Sequence, residues 1–143
     1  GLFGTNDVAP VKLQLLRSWG MEVGVQPLAG KPLGEMTPEE VQQALGQPAA
    51  QVAEWIGDYA VTSLALLDGN FPRDPALLRS GAYGEQAYSY SAAVGTNQGL
   101  ATSPWAETFD PYHIARVRAS GEDLAAWLKQ MEARGNFYVS DGE

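Results

Sequence analysis

The sequence predicts an α+β fold: a single small domain spanning residues 1–143, with a helical hairpin packed beside a small mixed sheet that includes a C-terminal β-α-β unit. Three observations predict it. Two helix starts, at Thr37 and Pro48, stand close together with Gly46 between them. A strand–helix–strand pattern runs through the last third of the chain. Short stretches such as "MEVGVQ" (21–26) and "AYSYSAAV" (87–94) alternate with the period of a strand. The length of 143 residues allows one core without metals or disulfides. The hydrophobic share of 45% and charged share of 18% are those of an ordinary globular chain.

The elements follow in order. Asn6 or Asp7 can cap a first helix, with Pro10 in its first turn and an apolar series from Val11 through Leu13, Leu15 and Leu16 to Trp19; Gly20 ends it. After the 21–26 strand, "PLAGKPLG" (27–34) is a loop by its prolines and glycines. Thr37, Pro38 and Glu40 combine a hydroxyl cap, proline at the first helical position and a glutamate three residues after the cap. That helix is expected to stop at Gly46. A second one, apolar around much of its girth and so the most buried element, is expected from Pro48 through Trp55 and Tyr59 to Leu67. Residues 95–111 form a long loop, and loops of that length in small domains tend to be functional. "HIARVRAS" reads as a strand. Ser120 caps a last helix whose buried stripe is Leu124, Trp127, Leu128 and Met131, and "NFYVS" (136–140) closes a parallel crossover.

Residues 37–58 also carry a resemblance. Val41, Ala44 and Leu45 before Gly46, and Val52, Trp55 and Ile56 after it, resemble the small helix-turn-helix domains of MerR and excisionase type. Membership would imply DNA binding by the second helix. The sequence departs from the pattern after the turn glycine, where Gln47 and Pro48 replace an aliphatic residue. Charge decides the matter: no Lys or Arg occurs between Pro32 and Pro72, whereas Glu39, Glu40, Glu54, Asp58 and Asp68 do. Affinity for DNA rests on cations brought to phosphates, so no nucleic-acid partner is expected and the hairpin is read as core packing.

The net charge of −8 repels phosphate backbones and anionic membranes and suits a neutral or basic partner. No apolar run approaches the ~20 residues that a membrane crossing requires, so no membrane insertion is expected. The absence of cysteine removes disulfides, thiolate metal sites and Cys nucleophiles. A soluble protein of bacterial or phage type is expected, either cytoplasmic or exported with its signal already removed.

His113 is the sole histidine, set in "ETFDPYHIARVR" with Glu107, Asp110, Arg116 and Arg118 close in sequence. Strand alternation groups Tyr112, Ile114, Arg116 and Arg118 on one face and His113, Ala115 and Val117 on the other, which favours a structural histidine. Arg116 and Arg118 can grip a carboxylate or phosphate together, or pair with the protein's own acids. Asp68, Asn70 and Asp74 lack the spacing of a calcium loop, and no metal or cofactor is expected. Tyr83, Tyr88, Tyr90, Trp105, Phe109 and Tyr112 fall among Gly, Ser, Thr and Asn residues. They suit either a contact platform or a strand with half its aromatics facing inward. The resulting expectation is a non-enzymatic protein-interaction module, such as an inhibitor, immunity protein, adaptor or virion component. It would bind a protein partner through Tyr83, Tyr88, Tyr90, Trp105, Tyr112, Arg116, Arg118 and the acidic surface. The alternative is a small hydrolase or transferase acting on a glycan or nucleotide-derived substrate, with His113, Glu107 or Asp110 as acid/base.

Overall fold

The computed structural model describes residues 8–27, 30–67, 70–95, 99–117 and 120–134. The α+β class holds. Four helices, α1 (Ala9–Ser18), α2 (Pro38–Ile56), α3 (Ala76–Arg79) and α4 (Gly121–Arg134), accompany four short strands, β1 (Ser63–Ala65), β2 (Ser80–Tyr83), β3 (Gln86–Ser89) and β4 (Ala92–Val94).

Helix α1 has Pro10 in its first turn and ends where the Trp19 N–H reaches the carbonyls of Leu15 and Leu16; Gly20 then turns with φ +75°. The expected caps Asn6 and Asp7 lie outside the described residues. Helix α2 starts as its sequence dictates. The Thr37 hydroxyl accepts from the Glu40 N–H at 3.3 Å, and the Glu40 carboxylate accepts from the Thr37 N–H at 2.8 Å. Lys31 pairs with the same carboxylate at 2.8 Å.

The expected helical hairpin within 37–58 does not form. Helix α2 runs unbroken for 19 residues through both Gly46 and Pro48 and stops at Gly57, with φ +69°. Gly46 is a packing notch instead of a turn. A Cβ there would stand 2.5 Å from Tyr83 Cβ and 3.1 Å from Tyr88 Cδ1, because the β2–β3 hairpin crosses the helix at that point. Pro48 has no N–H to offer the Ala44 carbonyl, and such a proline costs about 3 kcal/mol in a helix interior. Burial of Val41 and Leu45 before it, and of Val52 and Ile56 after it, holds the helix together across the break.

Nor does a helix continue to Leu67. The chain becomes extended after Gly57, and β1 with its flanks is the most buried stretch: Leu64 and Leu66 alternate inward with Ala65 between them. β1 pairs with β4 in parallel register, Leu64 opposite Ala93. Single parallel bridges extend this pair on both sides, Val25 to Leu64 and Val94 to Ile114. Four extended segments thus lie side by side in chain order. The expected strand 87–94 is split between two sheets: β3 joins the antiparallel β2–β3 hairpin and β4 joins the parallel pair, with Tyr90 and Ser91 between them. Tyr90 N–H bonds to the Arg79 carbonyl and Ser91 N–H to that of Thr62, so the crossing is itself held from both sheets.

Helix α1 packs against α2. Gln14 donates to the Trp55 carbonyl at 3.0 Å, and the Arg17 guanidinium donates to that of Ile56 at 2.6 Å, satisfying carbonyls at the C-terminal end of α2. Of the expected C-terminal β-α-β unit, the first strand is reduced to the Ile114 bridge, α4 is present, and the 136–140 strand lies outside the described residues. The buried stripe assigned to α4 is corrected: Leu124 and Leu128 are exposed, with Trp127 and Met131 half-buried, because α4 makes no broad contact with another described element.

Candidate functional site: an apolar groove and a surface carboxylate–imidazole turn

The aromatic residues between 83 and 112 do not form one exposed platform. Tyr88 and Tyr90 are core residues, which corrects their assignment to a contact surface. The Tyr88 hydroxyl donates to the Leu77 carbonyl at 2.9 Å, the Tyr90 hydroxyl to that of Leu45 at 2.6 Å, and their rings tilt together at 5.3 Å. Burial pushes the Tyr88 hydroxyl up to about 12 and that of Tyr90 higher still, aided by its neighbour Tyr88. Tyr83 is half-buried against Gly46. Tyr112 is half-buried too; its hydroxyl donates to the Tyr90 carbonyl at 2.8 Å, and the Arg79 guanidinium lies 4.7 Å over its ring. Phe109 is half-buried, whereas Trp105 stands 89% exposed on its loop. Glu107 and Arg116 are exposed, and Arg118 lies outside the described residues.

Asp110 and His113 do come together. Asp110 and Pro111 open a tight turn in which the Tyr112 N–H reaches Asp110 Oδ1 at 2.9 Å and the His113 N–H reaches the Asp110 carbonyl at 3.1 Å. The turn delivers His113 Nδ1 to Asp110 Oδ2 at 2.6 Å, while the imidazole stacks on Phe71 with centroids 4.1 Å apart. The Tyr112 N–H, more than any other neighbour, holds the Asp110 carboxyl below its ordinary range; His113 and Arg79 add to this. Both side chains of the pair remain about half exposed, at 47% and 48%, on the open surface. The expectation that His113 shares an apolar face with Ala115 and Val117 is therefore corrected. His113 is exposed while Tyr112, Ile114, Ala115 and Val117 are half-buried, because residues 110–113 form a turn and the expected strand is reduced to the single bridge at Ile114.

An apolar groove lies elsewhere, between α2 and the extended segment at 23–26. Leu13, Val23 and Val25 supply its floor; Pro48, Val52 and Trp55 form the facing wall. Gln26, Gln47 and Gln51 place primary amides along it, and Gly24 and Ala44 complete the lining. None of these residues is ionisable, and the volume of about 460 Å³ is that of a ligand-sized cleft. Sequence reasoning missed this feature. Its signal was present in Pro48, a proline inside a well-capped amphipathic helix, flanked by glutamines instead of charged residues.

A second apolar surface lies on α1. Its inward side buries Ala9 and Leu13, but Val11 is 64% and Trp19 62% exposed, with Leu15 and Met21 also outward. Residues 11, 15 and 19 repeat at helical spacing and so share one face. Among the described residues no three acidic or histidine side chains converge as a metal would require, and no helix is long and apolar enough to cross a membrane. Compared with known protein families, with curated proteins and with solved structures, the chain matches none.

Proposed function

We propose that this chain is a non-enzymatic protein-interaction module. The observation that carries the reading is the outer face of α1, where Val11, Leu15 and Trp19 form an exposed stripe continued by Met21. Large apolar side chains gathered on one face are what a partner covers, and soluble monomers seldom leave such patches open. Helix α1 bears Lys12 and Arg17 and no acid, while the chain as a whole carries −8. The partner surface is accordingly apolar at its centre and neutral to basic where it meets the rest of the body. Trp105 is the remaining exposed member of the aromatic series and offers a further contact. The test compares the wild-type chain with a Val11→Glu, Leu15→Lys double variant, whose new charges form a favourable helical pair and spare the buried face. A partner captured from a bacterial lysate by the wild type should be lost by the variant at unchanged Tm. Capture that ignores the double substitution removes the reading.

One observation favours a second reading, the small hydrolase or transferase: His113 Nδ1 stands 2.6 Å from the Asp110 carboxylate, an arrangement that would orient the imidazole as a general base. A glycan or nucleotide-derived substrate would have to meet it on open surface. His113→Ala should then abolish turnover of such substrates at unchanged Tm; activity that survives the substitution ends this reading.

A further inference from the structure

The geometry points to the groove beside α2 as a strand acceptor: an extended, uncharged, apolar segment of a partner protein lies in it and pairs with the free backbone edge at Gly24 and Gln26. The inference rests on the interaction-module reading and places a specific class of ligand on a surface separate from the outer face of α1.

The segment before Pro27 is a strand paired on one side only. Val23, Val25 and Pro27 are buried, and Glu22, Gly24 and Gln26 are exposed, the alternation of a half-buried strand. Both backbone groups of Val25 are committed to β1: its N–H donates to the Ser63 carbonyl at 3.1 Å, and its carbonyl accepts from Ala65 at 2.8 Å. Successive residues of a strand aim their backbone groups at opposite edges, so the N–H and C=O of Gly24 and Gln26 point away from β1. Among the described residues nothing bonds to them. Gly24 also lets the two strands close up, since a Cβ there would fall 2.6 Å from Ser63 Oγ. Such an edge is a template for one more strand.

The groove determines what that strand can be. Its lining contains no ionisable group, so a charged side chain entering it would lose hydration without gaining a counter-ion. An acidic one would in addition meet a body of charge −8. Alternate residues of an added strand can lie against Val52 and Trp55 while the residues between them face water. The Gln47 amide and the amide oxygen of Gln51, whose Nε2 donates to the Glu54 carboxylate at 2.9 Å, supply polar partners along the far wall together with the Ala44 carbonyl that Pro48 leaves without its helical donor.

The test pans a phage-displayed library of random nonapeptides on the full chain and measures synthetic versions of the winners by fluorescence anisotropy. Winners should be uncharged, with apolar residues at alternate positions. Gln26→Pro removes an edge N–H to which nothing bonds among the described residues, so it should weaken binding at least tenfold without lowering Tm. N-methylation of alternate peptide nitrogens should weaken binding to the wild type by a similar factor; this second measurement decides the matter if the proline disturbs the fold. No enrichment, enrichment of charged or helical peptides, or winners indifferent to both changes would overturn the inference. Partner capture that depends on Val11 and Leu15 but ignores Gln26→Pro would leave the interaction-module reading standing and remove this one.

Discussion

Helix α2 has two unlike sides. At Gly46 the β2–β3 hairpin lies so near that a single added carbon would meet Tyr83 and Tyr88, and beside it Leu45 is wholly buried with its carbonyl bonded to Tyr90. Two residues on, and roughly 200° around the helix at 3.6 residues per turn, Pro48 interrupts the hydrogen-bond ladder on a side left open as a groove. The same helix is a tightly fitted core element on one side and the wall of a groove on the other. Close packing makes the first side intolerant of any change in volume. The second retains backbone groups and apolar surface that folding alone leaves unused. The contrast separates what holds the molecule together from what is available to a partner.

The largest test of that contrast is Leu45→Ala. It should cost about 3 kcal/mol, within the ~2–5 kcal/mol usual for buried leucines, whereas Gln51→Ala on the groove side should shift stability by less than about 0.5 kcal/mol. Equal effects in a denaturant titration would erase the distinction between the two sides. Pro48→Ala should stabilise by about 2 kcal/mol, since it restores an N–H for Ala44 and relieves a penalty of ~3 kcal/mol, less the greater freedom of the unfolded chain. A loss of stability would mean that the proline is required by the packing around it. Gly46→Ala sets overpacking of roughly 1–3 kcal/mol against a helix-propensity gain of about 1 kcal/mol. A net loss of about 1–2 kcal/mol is expected, and a gain would show that the hairpin can retreat.

The smallest effect concerns the Asp110 turn. Its carboxyl is held below its ordinary value in the folded chain, so the stabilisation is present above the unfolded value of about 4 and disappears as pH falls through the folded one. For a pair this exposed, solvent screening keeps the effect below about 1 kcal/mol. Asp110→Asn should therefore flatten the acid limb of the stability curve and lower stability at neutral pH by the same small amount, less than about 1 kcal/mol; a larger loss at neutral pH would give the turn a structural importance that its exposure does not suggest.

How far the sequence could be read follows from the same physics. Local rules worked where the signal was local: the Thr37–Glu40 capping box, the stop at Gly20, and the start of α4 after Ser120 were all legible. They failed at Gly46 and Pro48, where two residues that usually mark a turn were used for packing and for a break in the ladder. At Gly46 the difference lies in the hairpin some forty residues away that packs on it, and at Pro48 in the burial of Val41, Leu45, Val52 and Ile56 on either side; no local rule sees either. Val61 to Leu66 illustrates the ambiguity of a short apolar run, which suits a buried helix and a buried strand equally. The Asp110–His113 pair was visible as proximity in sequence, yet the face of His113 was misread because it sits in a turn, where strand alternation does not apply. The aromatic count between 83 and 112 foretold neither exposure nor burial. Tyr88 and Tyr90 went inward because their hydroxyls found the carbonyls of Leu77 and Leu45.

The parallel arrangement of Val25, β1, β4 and Ile114 in strict chain order has a consequence for how the molecule comes into being. Each of these four segments pairs with one that precedes it in the chain, so the sheet can be extended row by row from Val25 to Ile114 without waiting for the far end of the chain. Extension runs toward the C-terminal side, away from Val25, and among the described residues nothing bonds to the outer margin of that first row.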